Sequence, residues 1–188
     1  LEIIKRLGIN DGIFAEFGVG DGTENNTLCL ISLNWRGFWS DGEDIAFDTS
    51  KTNRLFFYKE WITKANVCSL MDKGKSDLGV DDVDLISVDL DGNDLYFCEE
   101  LLKNGFNPSV FIVEYNAKFP PPIQFCIDYD PKHLWDDTDY MGASLQSFYN
   151  MFDKYDYSLI CCNAATGSNA FFVKKIYLDL FPDIPKNI

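Results

Sequence analysis

Three glycines at alternate positions are the first feature of this sequence that could do chemistry. They are Gly18, Gly20 and Gly22, and they separate an apolar run at 13–17 from a polar segment at 23–27. A glycine-rich turn between a strand and a helix brings backbone amides very close to a ligand. The spacing G-x-G-x-G is one residue shorter than the dinucleotide fingerprint. No Gly-Lys-Ser/Thr sequence follows it, which excludes a P-loop.

Carboxylates surround this glycine loop. Glu16 ends the preceding apolar run, and Asp21 and Glu24 lie within or just after the loop. Negative charges here would repel a diphosphate, whereas they suit an ammonium group and ribose hydroxyls. A tight turn that only packs a helix against a strand is the alternative interpretation.

A second pair of acids strengthens the binding interpretation. Asp41 and Glu43 end the segment WRGFWSDGE, beyond the glycine loop. Nucleotide-binding α/β folds place a ribose-binding carboxylate about twenty residues after that loop. A solvated strand end explains the pair equally well, but its coincidence with the glycines favours ligand binding.

Further oxygen-bearing side chains follow two later apolar segments. Asp89 and Asp91 come at the end of the first segment, and Glu114 and Asn116 come at the end of the next. Carboxylates that converge at one sheet edge repel one another unless they are protonated, separated or bridged by a cation. Oxygen ligands favour Mg²⁺ or Ca²⁺ over zinc. We therefore expect either a divalent cation or a pocket wall that contains a base.

The elements that position these residues alternate between strand and helix. Apolar runs predict strands at 12–17, 37–41, 62–68, 83–90, 110–115, 157–162 and 170–175. Helices are predicted at 24–34, 95–103 and 143–154. This alternation implies an α/β fold with a doubly wound, mainly parallel sheet and helices on both faces. The last two strands are so close in sequence that they must be antiparallel.

One long segment interrupts the alternation. Residues 116–142 contain three consecutive prolines, scattered aromatics, several acids and the only histidine, His133. A connection at this point normally needs about two to six residues. The segment also leaves the sheet at the edge where open α/β sheets bind ligands. We expect it to roof the site, with an ordered surface excursion as the alternative.

Composition limits the class of protein and of partner. The chain of 188 residues fits a single domain spanning 1–188, and its formal net charge is −14. Such a surface repels nucleic acids and anionic membranes, so neither is an expected partner. Six cysteines without a Cys-x-x-Cys pair indicate a reduced, cytoplasmic protein. With a single histidine, a His-based zinc site or a Ser-His-Asp triad is not expected.

The sequence resembles the class I S-adenosylmethionine-dependent methyltransferases, which have a Rossmann-like fold. EFGVGDG is similar to the E/D-x-G-x-G-x-G loop of that family, WRGFWSDGE to its second-strand acid, and the last two strands to its antiparallel hairpin. DLISVDLDGNDLYF and VFIVEYNAKF are similar to sequences near the FkbM-type methyltransferases, which mostly modify small molecules and sugars. The resemblance covers nearly the whole chain.

The resemblance implies roles for individual residues. Contacts to S-adenosylmethionine would come from Glu16, Gly18, Gly20, Asp21, Gly22, Thr23, Asp41, Glu43, Asn66, Val67 and Asp89. Among these, Asp41, or failing it Glu43, would bind the ribose, and Asn66 to Cys68 would border the adenine. Mg²⁺ would lie between Asp89, Asp91, Glu114 and Asn116. The base would be Asp91 or Glu114, with Asp89 and His133 as further candidates.

The implied activity is O-methylation of a small molecule or sugar hydroxyl. The N-P-P-Y-type motif of amino-group methyltransferases does not follow strand four, so methylation of a nucleobase or a Gln side chain is not expected. Two alternatives remain open. One is a regulatory module that binds the cofactor without transferring its methyl group. The other is an NAD-dependent oxidoreductase, which the glycine spacing and the acidic loop disfavour.

Overall fold

The computed structural model describes residues 1–23, 25–165 and 167–185. Its strands are β1 Ile13–Phe17, β2 Arg36–Asp41, β3 Leu55–Lys59, β4 Leu85–Val88, β5 Val110–Glu114, β6 Tyr157–Cys162 and β7 Asn169–Lys174. They form one sheet in the order β3-β2-β1-β4-β5-β7-β6. The first five strands pair in parallel, and β7 is antiparallel to both β5 and β6. The predicted fold class, with its terminal antiparallel hairpin, is confirmed.

Helices cover both faces of the sheet, but unequally. They are α1 Glu2–Leu7, α2 Leu28–Ile31, α3 Val67–Leu78, α4 Asp94–Lys103 and α5 Leu145–Asp153, with 3₁₀ turns at Thr49–Lys51 and Lys175–Leu180. The three longer helices α3, α4 and α5 contribute to one hydrophobic core, and the short α1 and α2 to the other. No helix among the described residues has the length and apolar character needed to cross a bilayer.

The strand predicted at 62–68 was wrong. The third strand lies earlier, at 55–59, and Val67 begins helix α3. The buried residues of α3 include Val67, Leu70, Met71 and Leu78, which follow the spacing of one helix face rather than the alternation of a strand. A short apolar segment read alone does not distinguish these periods.

The helix predicted at 24–34 is much shorter than expected. Side chains satisfy the backbone before the helix begins: Asn25 Oδ1 accepts from Leu28 N at 2.8 Å. Glu16 accepts from the backbone amides of Asn26 and Thr27 at 2.8 and 3.1 Å. Asn34 follows the helix with a φ of 68°, where a right-handed helix cannot continue.

Residues 116–142 fold back towards the sheet. Asn116 Nδ2 donates to the carbonyl oxygens of Asp139 and Met141 at 2.9 and 3.0 Å, which ties the two ends of the segment together. A single β-bridge joins Cys126 to Ala143. Because the segment begins at the carboxyl end of β5, these contacts hold it at the ligand-binding edge of the sheet.

Candidate functional site

A cavity of about 750 Å³ opens at the carboxyl edge of the parallel strands. Its size lies within the range of about 300–1,000 Å³ typical of small-molecule sites. Four segments of the chain line it, namely 18–21, 41–43, 89–91 and 133–135. The other lining residues are Thr23, Trp61, Ile62, Asn93 and Phe97. The cavity lies where the strand order reverses between β1 and β4, the position at which open α/β sheets bind ligands.

The glycine loop has the backbone conformation that glycine permits. Gly18, Gly20 and Gly22 all have positive φ angles, of 84°, 52° and 84°. The amide of Gly18 continues the sheet by donating to Ser40 O at 3.0 Å. Around Gly20, by contrast, a Cβ would meet no atom within 4 Å. The loop therefore presents open backbone to the cavity at Gly20. Glu24, predicted to add a charge here, lies outside the described residues.

Asp41 holds the glycine loop in place. Its Oδ2 accepts from the amides of Val19 and Gly20 at 2.7 and 2.8 Å, and its Oδ1 accepts from Glu43 N at 2.9 Å. Only 9% of Asp41 is exposed, whereas Glu43 is exposed and lines the cavity. Three backbone donors thus occupy most of the hydrogen-bonding capacity of Asp41, and Glu43 is the carboxylate left facing the ligand space.

Glu16 lies below the loop and away from the cavity. It is fully buried and accepts from Asn26 N, Thr27 N, Thr27 Oγ1 and Ser87 Oγ. Burial raises the pKa of Glu16 to about 7, against the effect of these donors. The expectation that Glu16 contacts a cofactor is not supported, because its carboxylate is used to fix the start of α2.

Three other predicted contacts also lie outside the cavity lining. Gly22 is packed against Phe47 and Trp39, which would lie 3.0–3.3 Å from a Cβ at this position. The side chain of Asn66 accepts from Thr63 N at 2.7 Å and donates to Trp61 O at 2.9 Å. Val67 is fully buried in the core. Asn66 and Val67 were expected at the adenine because the third strand was placed at 62–68 instead of 55–59.

Two acids line the cavity beyond β4, and two more lie behind them. Asp89 and Asp91 face the cavity. Burial and the neighbouring Asp91 raise the pKa of Asp89. Asp94 accepts from the amides of Leu90 and Gly92 at 2.7 and 2.8 Å, and burial raises its pKa to about 7. Burial, followed by the charge of Asp89, raises the pKa of Glu114 to about 10, so Glu114 is protonated at neutral pH.

The predicted Mg²⁺ site is not supported. Among the described residues, no group of three or more acidic, histidine or cysteine side chains is arranged to hold a metal ion. Asn116 is already engaged, because its Nδ2 donates to two carbonyls and its Oδ1 accepts from Lys118 N at 3.0 Å. Protonation of Glu114 relieves the repulsion that had suggested a bridging cation.

Residues 130–135, which we call the strap, close one side of the cavity. Asn93 Nδ2 donates to Asp130 O at 2.7 Å, and Trp61 Nε1 donates to Pro131 O at 2.7 Å. His133 lies directly on Gly92, where an added Cβ would be 2.3 Å from His133 Cδ2. His133 Nε2 is buried without a hydrogen-bond partner. The strap brings His133, Leu134 and Trp135 to the cavity, as expected for a roof over this edge.

Sequence reasoning missed several lining residues. Trp61 and Ile62 follow the true third strand, Asn93 and Phe97 belong to the beginning of α4, and Trp135 comes from the strap. An exposed tryptophan directly after a correctly placed β3 would have indicated Trp61. The contribution of Trp135 depends on how the strap folds back, and no local sequence pattern reveals that.

Comparisons with known proteins identify the fold. No family model matches the chain, and no curated protein matches it. Among solved structures, a pre-rRNA processing fibrillarin of Methanococcus jannaschii is 8% identical with a TM-score of 0.53, over 88% of this chain and 67% of that one. The calicheamicin-biosynthesis methyltransferase CalO1, with S-adenosylhomocysteine bound, is 13% identical with a TM-score of 0.51, over 92% and 52%.

A third neighbour is the 1,6-didemethyltoxoflavin-N1-methyltransferase of Burkholderia thailandensis, also with S-adenosylhomocysteine bound. It is 9% identical with a TM-score of 0.51, over 92% of this chain and 73% of that one. The chain therefore spans between about half and three quarters of the length of these neighbours. At such low identity, the similarity shows a Rossmann-like fold shared with methyltransferases.

Proposed function

We propose that this protein is an S-adenosylmethionine-dependent methyltransferase that methylates a hydroxyl of a small molecule or sugar. The observation that carries the proposal is the glycine loop, which Asp41 fixes so that Gly20 is open to the cavity. The lining contains carboxylates but no lysine or arginine to receive a diphosphate. A zwitterionic adenosyl ligand without phosphate fits this surface better than NAD does.

Residues on the β1–β2 side of the cavity fit the cofactor. Glu43 is exposed beside the loop and is the carboxylate available for the two ribose hydroxyls. Trp61 and Ile62 provide the apolar surface for adenine. Gly18, Gly20, Asp21 and Thr23 line the cavity along the loop, where the methionine end would lie. Asp41 contributes by positioning the loop.

The chemistry requires alignment and a base. The bound cofactor supplies a methyl group on a sulfonium, and the protein aligns the acceptor oxygen for in-line displacement. Asp91 is exposed at the cavity and is the base that we favour for a hydroxyl proton. Glu114 holds its own proton at neutral pH, so it is a poor base in the free protein. His133 Nε2, unpartnered and at the cavity, is the second candidate.

The proposal extends to the partner and the setting. A net charge of −14 opposes binding to a nucleic-acid backbone, so we favour a small-molecule acceptor even though one structural neighbour is a pre-rRNA processing protein. The six cysteines are free, which agrees with a reducing cytoplasm. We also propose that 1–188 forms a single domain related to the FkbM-type methyltransferases.

Thermal unfolding with added ligand tests the cofactor assignment. A ligand at a hundred times its dissociation constant raises the free energy of unfolding by about 2.7 kcal/mol, which for this length corresponds to about 5–11 °C. We expect that shift with S-adenosylmethionine and S-adenosylhomocysteine and none with NAD. A shift with NAD alone would overturn the proposal. Binding of S-adenosylmethionine without formation of S-adenosylhomocysteine in cell extract would identify a non-catalytic module instead.

A further inference from the structure

The cavity has an excess of negative charge that a cofactor does not explain. Five of its lining side chains are carboxylates: Asp21, Asp41, Glu43, Asp89 and Asp91. No lysine or arginine lines it. A concave surface of one charge sign concentrates ligands of the opposite sign. The acids must therefore be assigned one by one to protein donors, to the cofactor or to another ligand.

Three of the five carboxylates have partners on the β1–β2 side. Asp41 accepts from three backbone amides. Asp21 accepts from Thr23 N and Thr23 Oγ1 at 2.9 and 2.6 Å. Glu43 faces the proposed ribose position. Asp89 and Asp91 remain. Asp89 accepts from Asn26 Nδ2 at 3.3 Å, and no lysine or arginine of the described residues forms an ion pair with either acid.

A second observation points to a missing hydrogen-bond donor behind Asp89. Asn169 is only 8% exposed, its amide lies close enough to Asp89 to lower the pKa of that carboxyl, and its own Oδ1 has no hydrogen-bond partner. Buried polar atoms are nearly always paired, so the unpaired acceptor of Asn169 beside Asp89 favours a ligand rich in N–H donors.

Aromatic side chains complete the surface. Trp61 and Trp135 line the cavity yet remain 47% and 48% exposed, so parts of both rings are available to a ligand. The face of a tryptophan ring attracts a cation, and tryptophan does so best among the aromatic residues. Because Trp61 is assigned to the adenine, Trp135 and the carboxylates form the surface that remains for an organic cation.

We propose that the methyl acceptor is a protonated organic amine, such as an amino alcohol or amino sugar, whose ammonium group binds at Asp89 and Asp91. As a statement about the acceptor, this rests on the proposed function. The ammonium group donates to Asp89 and to one oxygen of Asp91, so the other Asp91 oxygen remains to accept the hydroxyl proton. The organic part of the molecule lies against Trp135. The tryptophan and the strap then determine which amines fit.

Three probes of nearly equal shape test the proposal: benzylammonium, benzyl alcohol and benzoate. Each is titrated by calorimetry into the protein saturated with S-adenosylhomocysteine, and again into the free protein. We expect benzylammonium to bind at least about tenfold more tightly than benzyl alcohol. We expect no binding of benzoate.

Two variants separate the site from the general negative charge of the protein. Asp91→Asn removes one charge, and asparagine tolerates the positive φ of 53° found at this position. We expect it to weaken benzylammonium binding at least about tenfold and to leave benzyl alcohol binding unchanged. Asp136 is an exposed acid of the segment 116–142 and does not line the cavity. Asp136→Asn removes its charge and should change the binding of neither benzylammonium nor benzyl alcohol.

Each outcome decides between the inferences. Equal binding of benzylammonium and benzyl alcohol, no binding of benzylammonium, or equal losses in Asp91→Asn and Asp136→Asn would overturn the cation site. S-adenosylhomocysteine binding is measured independently in the same titrations. If it fails while benzylammonium binds, the proposed function is wrong and the amine site remains. If it succeeds while benzylammonium does not bind, only the acceptor class is wrong.

Discussion

Gly18 lies so close to Asp89 that a Cβ on Gly18 would be 1.8 Å from the carbonyl oxygen of Asp89. This contact joins the end of β1 to the end of β4, and Asp89 N donates to Phe17 O at 2.9 Å beside it. The cofactor side and the acceptor side of the cavity therefore meet at a position that only glycine can occupy.

Gly18→Ala should unfold the protein or lower its free energy of unfolding by more than about 4 kcal/mol, because the new methyl overlaps a backbone atom at a positive φ. Gly20→Ala has a positive φ but open space, so we expect a cost of about 1–2 kcal/mol and the loss of S-adenosylhomocysteine binding. Gly79→Ala, at the end of α3, should lower the free energy of unfolding by the same amount and leave S-adenosylhomocysteine binding unchanged. Urea denaturation and calorimetry measure both quantities, and equal stability of the Gly18 and Gly20 variants would contradict the prediction.

The two acids beyond β2 should separate stability from binding. Asp41→Asn replaces an oxygen that receives backbone donors, so it should lower the free energy of unfolding by about 1.5–3 kcal/mol. Glu43→Gln should leave stability within about 0.5 kcal/mol and weaken S-adenosylhomocysteine binding at least about tenfold. Two results together would contradict these roles: an Asp41→Asn variant as stable as the unmodified protein, and normal S-adenosylhomocysteine binding by Glu43→Gln. Asp41 would then not position the loop, and Glu43 would not bind the ribose.

Glu114 should make the protein less stable as the pH rises. Its pKa is about 10 in the folded protein against an ordinary value of 4.5, so the folded state holds a proton that the unfolded state releases. The contribution is fully present below about pH 4.5 and decreases as the pH rises towards 10, by up to about 1.4 kcal/mol per pH unit. In Glu114→Gln, the free energy of unfolding should decrease less between pH 6 and 9 than in the unmodified protein. Glu60→Gln, which changes an exposed acid, should show the same decrease as the unmodified protein. Denaturation curves with the same pH slope for the unmodified protein and Glu114→Gln would refute the shift.

The strap should loosen when its anchor is removed. Asn93→Ala deletes the hydrogen bonds to Asp130 O and from Asp130 N, at 2.7 and 3.4 Å. We expect amide hydrogen exchange in 130–135 to accelerate about tenfold or more. Asn104→Ala, at the far end of α4, should leave that exchange unchanged. Equal protection of the strap in both variants would show that other contacts hold it.

The sequence predicted most of the sheet correctly. The strands β1, β4 and β5 are mostly apolar because both of their faces are covered, and the last hairpin is marked by its short turn. The third strand was misplaced because a short apolar segment carries no clear period, and Asn66 and Val67 therefore lie at the start of α3 and not at the end of a strand.

The remaining differences between expectation and structure concern partners distant in sequence. Asp41 was predicted to bind ribose, yet its donors are backbone amides 21 and 22 residues away. Glu114 was predicted as a base or metal ligand, but its protonation depends on burial and on Asp89, which follows the neighbouring strand β4. A residue type indicates which chemistry is available, whereas the tertiary contacts decide whether a ligand or the protein uses it.

A crystal structure of the protein grown with S-adenosylhomocysteine tests the central claim most directly. Our account predicts electron density for the ligand along Gly18–Gly20, with its ribose hydroxyls at Glu43 and its adenine near Trp61 and Ile62. The side of the cavity bordered by Asp89, Asp91 and Trp135 should remain open for the acceptor. Density for the ligand elsewhere on the protein, or none at millimolar ligand in well-diffracting crystals, would contradict it.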